Sequence, residues 1–170
     1  MTSSTTDFLA TGRRVIAREA EALGLLGDSL GDSFAAAVQM LLGAEGRVIV
    51  SGMGKSGHIA RKIAATFAST GTPAHFVHPA EASHGDLGMV MGGDVALLIS
   101  NSGETTELAD IIAHTRRFRI PTIAITARAE SSLARQAEVV LLLPPAPEAC
   151  ETGIVPTTST TMTLALGDAL

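Results

Sequence analysis

The chain has no tryptophan, no tyrosine, a single cysteine and two lysines among twelve basic side chains. Each shortage closes off a class of protein. The lone Cys150 cannot form an internal disulfide, so a stapled secreted scaffold is excluded and a reducing compartment, the cytoplasm, is expected. No apolar run approaches the roughly 20 residues that a membrane-spanning helix requires. The start, M-T-S-S-T-T-D-F-L-A, lacks a charged region followed by an apolar core, so it is not read as a secretory signal. With a net charge of −5, no basic block, no aromatic RNA-binding motif and no zinc-finger spacing, the composition argues against a nucleic-acid partner.

What remains is rich in small and branched aliphatics: 46% of residues are hydrophobic and only 17% charged. Two helices are expected before residue 46, one over Asp7–Leu25 with Phe8, Val15, Ile16, Ala22 and Leu23 on one side. The second is expected to be capped by Asp32 and to carry Phe34, Val38, Met40, Leu41 and Leu42. Strand-like runs follow at Arg47–Ser51, Ala74–Val77, Val95–Ser100, Pro121–Thr126 and Val139–Leu143. Helical patterns occupy Gly57–Thr70, Glu104–Phe118, Ser131–Ala137 and Thr158 to the end. Strands alternating with helices predict an α/β fold, a parallel sheet covered on both faces. Ligands of such sheets bind beyond the carboxyl ends of the strands, at a topological switch point. Leu170 falls inside the last helix without a stop signal, which reads as the end of a fragment.

The segment V-A-L-L-I-S-N-S-G-E-T-T-E, residues 95–107, carries the most chemistry. A buried strand runs out into Ser100, Ser102 and Thr105 around Gly103, at the start of a helix. Helix N-termini combine free N–H donors with about half a positive charge, so this pattern suits a phosphate. Glu104 and Glu107 stand in the first turn. Glu107 reads equally as a dipole-complementing acid and as a general base one turn from the ligand.

A second glycine-rich turn, Gly52-Met53-Gly54-Lys55-Ser56-Gly57-His58, follows the first strand. It lacks Walker A spacing. It satisfies G-x-G-x-x-G, but the second strand ends in Val77-His78-Pro79 rather than the acid that NAD sites use. Lys55, placed in the loop itself, is suited to a sugar oxygen or phosphate, whereas Lys62 reads as a solvated helix residue. His75, His78 and His84 fall close together without a recognised zinc spacing. Substrate contact by His84 is the stronger reading, and His114 reads as ordinary surface. Glu148 and Glu151 flank Cys150 and, from spacing alone, are loop acids.

The segments 52–58, Phe67 to Pro73, His78-Pro79, His84 to Val90, Ser100 to Glu104 and Pro156 to Thr161 together closely resemble the sugar isomerase (SIS) domain. The match is to the arabinose-5-phosphate isomerase family, and it extends over nearly the whole chain. The resemblance implies a flavodoxin-like three-layer α/β/α sandwich with a five-stranded parallel sheet, residues 1–45 forming N-terminal helices and 46–170 the core. It implies interconversion of ribulose 5-phosphate and arabinose 5-phosphate through a cis-enediol, feeding Kdo and lipopolysaccharide synthesis. By the same resemblance Ser56, Ser100, Ser102 and Thr105 hold phosphate, and Gly71, Thr72, His78 and His84 touch substrate. Lys55, Glu107 and Glu148 take catalytic parts in that resemblance; from the chemistry of aldose–ketose exchange, Glu107 or His84 is expected to move the proton. No cofactor is required, although His78 matches a position linked to zinc.

Two of the family's features, a histidine in an S-H-P-G-G segment and a pair of CBS domains, are expected beyond Leu170. The chain therefore reads as the SIS domain alone, with full activity depending on that histidine. A dimer or tetramer joined through the apolar N-terminal helices is expected. The rival readings are a non-catalytic phosphosugar or nucleotide-sugar sensor and a hexulose-phosphate isomerase. The Gly71-Thr72-Pro73 and His84-Gly85-Asp86 matches favour the arabinose-phosphate family over the latter.

Overall fold

A computed structural model describes residues 5–170. Two helices, α1 (Thr5–Asp28) and α2 (Asp32–Leu42), precede β1 (Val48–Gly52) and α3 (Gly54–Ser69). Then come β2 (Ala74–Phe76), the short α4 (Pro79–Ala82), β3 (Val95–Ile99), α5 (Ala109–Phe118), β4 (Thr122–Thr126), α6 (Ser132–Gln136), β5 (Val139–Leu142) and α7 (Thr158–Ala169). The five strands form one parallel sheet in the order β2-β1-β3-β4-β5. The chain order reverses between β1 and β3, so the switch point lies over the ends of those two strands.

Alternation along the strands sorts the core into two halves. Val48, Val50, Val95, Leu97, Ile99, Ile123 and Ile125 face one side, where α1, α2, α3 and α7 supply Ala22, Leu41, Ile63, Met162 and Leu166. Ile49, Ala96, Leu98 and Ala124 face the other, against Leu108, Ile111, Ile120 and Leu133 around α5 and α6. Every residue of β1, β3 and β4 is buried, as expected for parallel strands covered on both faces. The close seat of α3 on β1 depends on two glycines: a Cβ at Gly57 would stand 2.6 Å from the Gly52 carbonyl oxygen. This contact, rather than a dinucleotide, accounts for the G-x-G-x-x-G spacing.

Several expectations need adjusting. Asp32 does not cap α2; Gly31 occupies the N-cap and no side chain bonds there. On α1, Ala22 is buried, while Phe8 and Ile16 are 64% and 70% exposed, and Leu25, Leu30 and Leu42 are exposed as well. Helix α3 begins three residues earlier than expected, which moves Lys55 and Ser56 from a loop into its first turn. The stretch after Thr105 opens as a 3-10 turn, Thr106–Leu108, before α5 begins. His114 is half-buried rather than ordinary surface, with Nε2 at 2.9 Å from the Val90 carbonyl and its ring against Phe118. No helix among the described residues is long and apolar enough to cross a membrane.

Candidate active site

Two clefts open beyond the carboxyl ends of the strands. The first, of about 180 Å³, lies between the starts of α3 and α7 and is lined by Lys55, Ser56, Asn101, Ser159, Thr160 and Thr163, among others. The second, of about 310 Å³, runs over the ends of β3, β4 and β5 and includes Asn101, Ser102, Arg128, Glu148 and Ser159. Asn101 and Ser159 line both, so the clefts adjoin. Together they fall in the size range of small-molecule sites and occupy the switch point. Further hollows of similar size lie at the outer end of α3 and α7, beneath the sheet, and between α5 and α6, the last lined by Glu104, Thr105, Thr106 and Ser132 among others.

The hydroxyl turn after β3 is tightly wired. Ser100 is 2% exposed and its Oγ sits 2.7 Å from Thr105 Oγ1 and 3.5 Å from Ser102 Oγ. The Gly103 N–H donates to both the carbonyl and the Oγ of Ser100, at 3.0 Å each, and the Glu104 N–H donates to Ser102 Oγ at 3.2 Å. The Gly103 N–H is thus spent inside the turn rather than left free for an anion. Ser100 shapes the turn from below, while Ser102 is exposed at the cleft. Glu104 accepts the Ser132 N–H at 2.7 Å and so caps α6 from across the gap. Bonds from the Ser132 side chain and N–H hold the Glu104 carboxyl below the ordinary range.

Across the first cleft, α3 starts without a side-chain cap and without an acid in its first turn. Its unsatisfied donors and the exposed Lys55 therefore face a site that favours an anion. Helix α7 is treated differently. The Glu148 carboxylate accepts the Thr157 N–H at 2.7 Å, Thr157 Oγ1 at 3.1 Å, the Ser159 N–H at 3.3 Å and the Ser159 hydroxyl. Burial works to raise its pKa, but the bonds from Ser159 and Thr157 outweigh it and leave Glu148 below its ordinary 4.5. A lowered carboxyl contributes stability above its unfolded value that disappears as pH falls through the folded one. Glu148→Gln is therefore expected to melt lower than the parent at pH 7, the gap closing as the pH drops below about 4.5. Thermal melts across that range check this, and an equal gap at both ends would rule it out.

Glu107 is exposed on the 3-10 turn, its Oε2 accepting Thr106 Oγ1 at 3.1 Å and the turn pinned by buried Leu108. That turn packs against α4. His78 caps α4, its Nδ1 accepting the Ala80 N–H at 3.3 Å, and exposed His84 follows two residues after the helix. The hydroxyl turn, Glu107 and the His78 turn are thus neighbours. Gly71 and Thr72 are not. They precede β2, beside the Pro73 carbonyl that accepts the Val48 N–H at the opposite end of β1. Four residue steps of roughly 3.3 Å separate the two ends of that strand, so within one chain Gly71 and Thr72 are not brought to the clefts. Among the described residues no three His, Cys, Asp or Glu side chains converge.

Asn101, Arg128, Ser159 and Thr160 line the clefts without standing among the expected site residues. The hydroxyl run Thr157 to Thr161 signals Ser159 and Thr160, Asn101 lies within the Ser100–Glu104 motif, and no local pattern signals Arg128.

A five-stranded parallel sheet with a hydroxyl-lined cleft at its switch point defines a doubly wound α/β architecture with a small-molecule site at the carboxyl ends of its strands. The SIS domain profile matches residues 40–170, and the chain belongs to the SIS domain family. Arabinose 5-phosphate isomerase KdsD of Escherichia coli K12 is 53% identical over 164 residues, which are 96% of this chain and 50% of that protein. Its namesake from Pseudomonas aeruginosa is 51% identical over 168 residues, 99% of this chain and 52% of that protein. The chain spans about half the length of the curated relatives it matches. The solved structure of E. coli CFT073 c3406 in complex with arabinose 5-phosphate superposes with a TM-score of 0.94 at 42% identity, covering 98% of this chain and 89% of that one.

Proposed function

We propose that this chain is the isomerase domain of an arabinose 5-phosphate isomerase, interconverting D-ribulose 5-phosphate and D-arabinose 5-phosphate. The observation that carries the reading is the pair of adjoining clefts at the switch point, which gathers hydroxyls, an uncapped helix start, a lysine and the neighbouring Glu107 turn. The KdsD relatives and the structure solved with arabinose 5-phosphate support the same chemistry.

In this reading Ser56, Ser102 and Thr105, with Ser100 beneath them, anchor the phosphate away from the reacting carbons. Remote binding energy then orients C1 and C2. Starting from the ketose, Glu107 or His84 takes a proton from C1, giving an enediolate whose oxygen Lys55 stabilises. The proton returns at C2, leaving the aldehyde at C1. Glu148 holds α7 and its hydroxyls in place while remaining ionised. His78 contributes to the sugar end, and no step passes through zinc. Gly71 and Thr72, at the far end of the sheet, would reach a substrate only in another copy of the chain. The exposed apolar side chains of the two N-terminal helices, Phe8, Ile16 and Leu42 among them, support assembly into such copies, and a lone cysteine fits a reducing cytoplasm.

Incubating the purified chain with D-ribulose 5-phosphate should yield arabinose 5-phosphate, from a species that light scattering sizes at two or more chains. Binding of the sugar phosphate without conversion would leave a sensor in place of an isomerase. Conversion of hexulose 6-phosphate alone would redirect the substrate.

A further inference from the structure

Helix α1 reaches the second cleft through charge. Arg14 and Arg18, one turn apart, point at the loop that runs from β5 to α7. Arg18 Nη1 donates to the Glu148 carbonyl at 3.3 Å, and Arg14 Nη2 pairs with the Glu151 carboxylate at 2.7 Å. Arg14 Nη1 also lies 3.5 Å from the Ala149 carbonyl, and Glu19 accepts Thr161 Oγ1 at 3.2 Å. The loop closes on itself from the other side, where the Ala149 N–H donates to Thr157 Oγ1 at 2.9 Å with Ala149 only 1% exposed. These cations lie before residue 40, outside the segment that carries the family match.

We propose that Arg14 and Arg18 are positioning residues: they fix the backbone of residues 148–151, so that the Glu148 carboxylate stays across the start of α7 and Ser159 and Thr160 keep their places in the cleft. The proposal rests on the isomerase reading for its catalytic consequence. Exposed ion pairs add little stability, so the expected effect is on geometry rather than on folding. Misplacing reacting groups by about 1 Å can cost roughly a hundredfold in rate.

Arg14→Met/Arg18→Met keeps the apolar stems and removes the donors. Arg14→Lys/Arg18→Lys restores the charge. For the Met pair kcat should fall on the order of tenfold, with KM for ribulose 5-phosphate within about twofold of the parent, and the Lys pair should recover most of the loss. Cys150 supplies a readout that needs no substrate. Its thiol is held at about 7 by the Thr152 side chain and the Val155 N–H. In the Met pair the midpoint of its iodoacetamide alkylation should climb toward the ordinary thiol value, because the loop that supplies those bonds is no longer held. An unmoved Cys150 midpoint overturns the proposal, whatever happens to kcat. So does a moved midpoint in an active enzyme whose kcat is unchanged. If the chain isomerises nothing at all, the isomerase reading fails separately, and the thiol midpoint alone decides whether the arginines hold the loop.

Discussion

Glu107→Gln should fold and bind like the parent yet turn over between about a hundred and ten thousand times more slowly, the range a positioned general base supplies. Gln matches Glu in shape and keeps an acceptor for Thr106 Oγ1, so the 3-10 turn loses no local bond. The turn is fixed by buried Leu108 rather than by the carboxylate. The phosphate anchor is built from other residues, so KM should stay within about threefold. What disappears is proton exchange at C2, followed by NMR as deuterium incorporation from solvent. Normal exchange in the Gln variant would remove Glu107 as the base and pass that part to His84.

The sheet was legible because its strands carry two signals at once: continuous burial and a parity that sends Val48 and Val50 one way and Ile49 the other. Strand bounds came out within a residue, for example Thr122–Thr126 against the expected 121–126. The starts of helices were harder. Lys55 and Ser56 read as loop because glycines on both sides mask helical periodicity, yet the Gly52–Gly57 contact draws α3 onto the strand and starts the helix there. Helix α4 is four residues long, too short for any period to register.

Within the site, the Ser100–Thr105 turn announced itself by hydroxyl density. The partners of its groups did not: that Ser100 would bond Thr105, and the Gly103 N–H turn inward, depends on side-chain directions that sequence spacing does not carry. Glu148 makes the same point. Its spacing says loop acid, the family resemblance says catalytic, and its hydrogen bonds make it the cap of α7, nine residues from Thr157 and eleven from Ser159. Long-range caps leave no local signature, whereas a Ser131-type cap, bonded three residues along to Ala134, does.

Gly103→Ala should cost about 3 to 4 kcal/mol and lower the melting temperature by roughly 10 °C, a large effect for a single methyl. Two independent costs add. Gly103 has φ +67°, where a Cβ alone is disfavoured by about 1 to 2 kcal/mol. That Cβ would also collide with the Oγ and Cβ of Ser131, with Thr126 Oγ1 behind it at 3.0 Å. Ser131 has no easy retreat, because its Oγ accepts the Ala134 N–H at 3.2 Å and donates to the Arg128 carbonyl at 2.8 Å. Moving it uncaps α6. Moving Gly103 instead breaks its N–H bonds to Ser100 and the bond its carbonyl accepts from the Leu133 N–H at 3.1 Å.

Either way the hydroxyl turn shifts, and KM for the sugar phosphate should rise about tenfold alongside the loss in melting temperature. Adding Ser131→Gly to Gly103→Ala would relieve the collision while leaving the φ strain and the lost cap. The pair should therefore recover only part of the stability and show a favourable coupling in a double-mutant cycle. A melting temperature within about 2 °C of the parent for Gly103→Ala would mean that the turn yields freely, and a turn that yields cannot hold Ser102 and Thr105 at fixed positions around a phosphate.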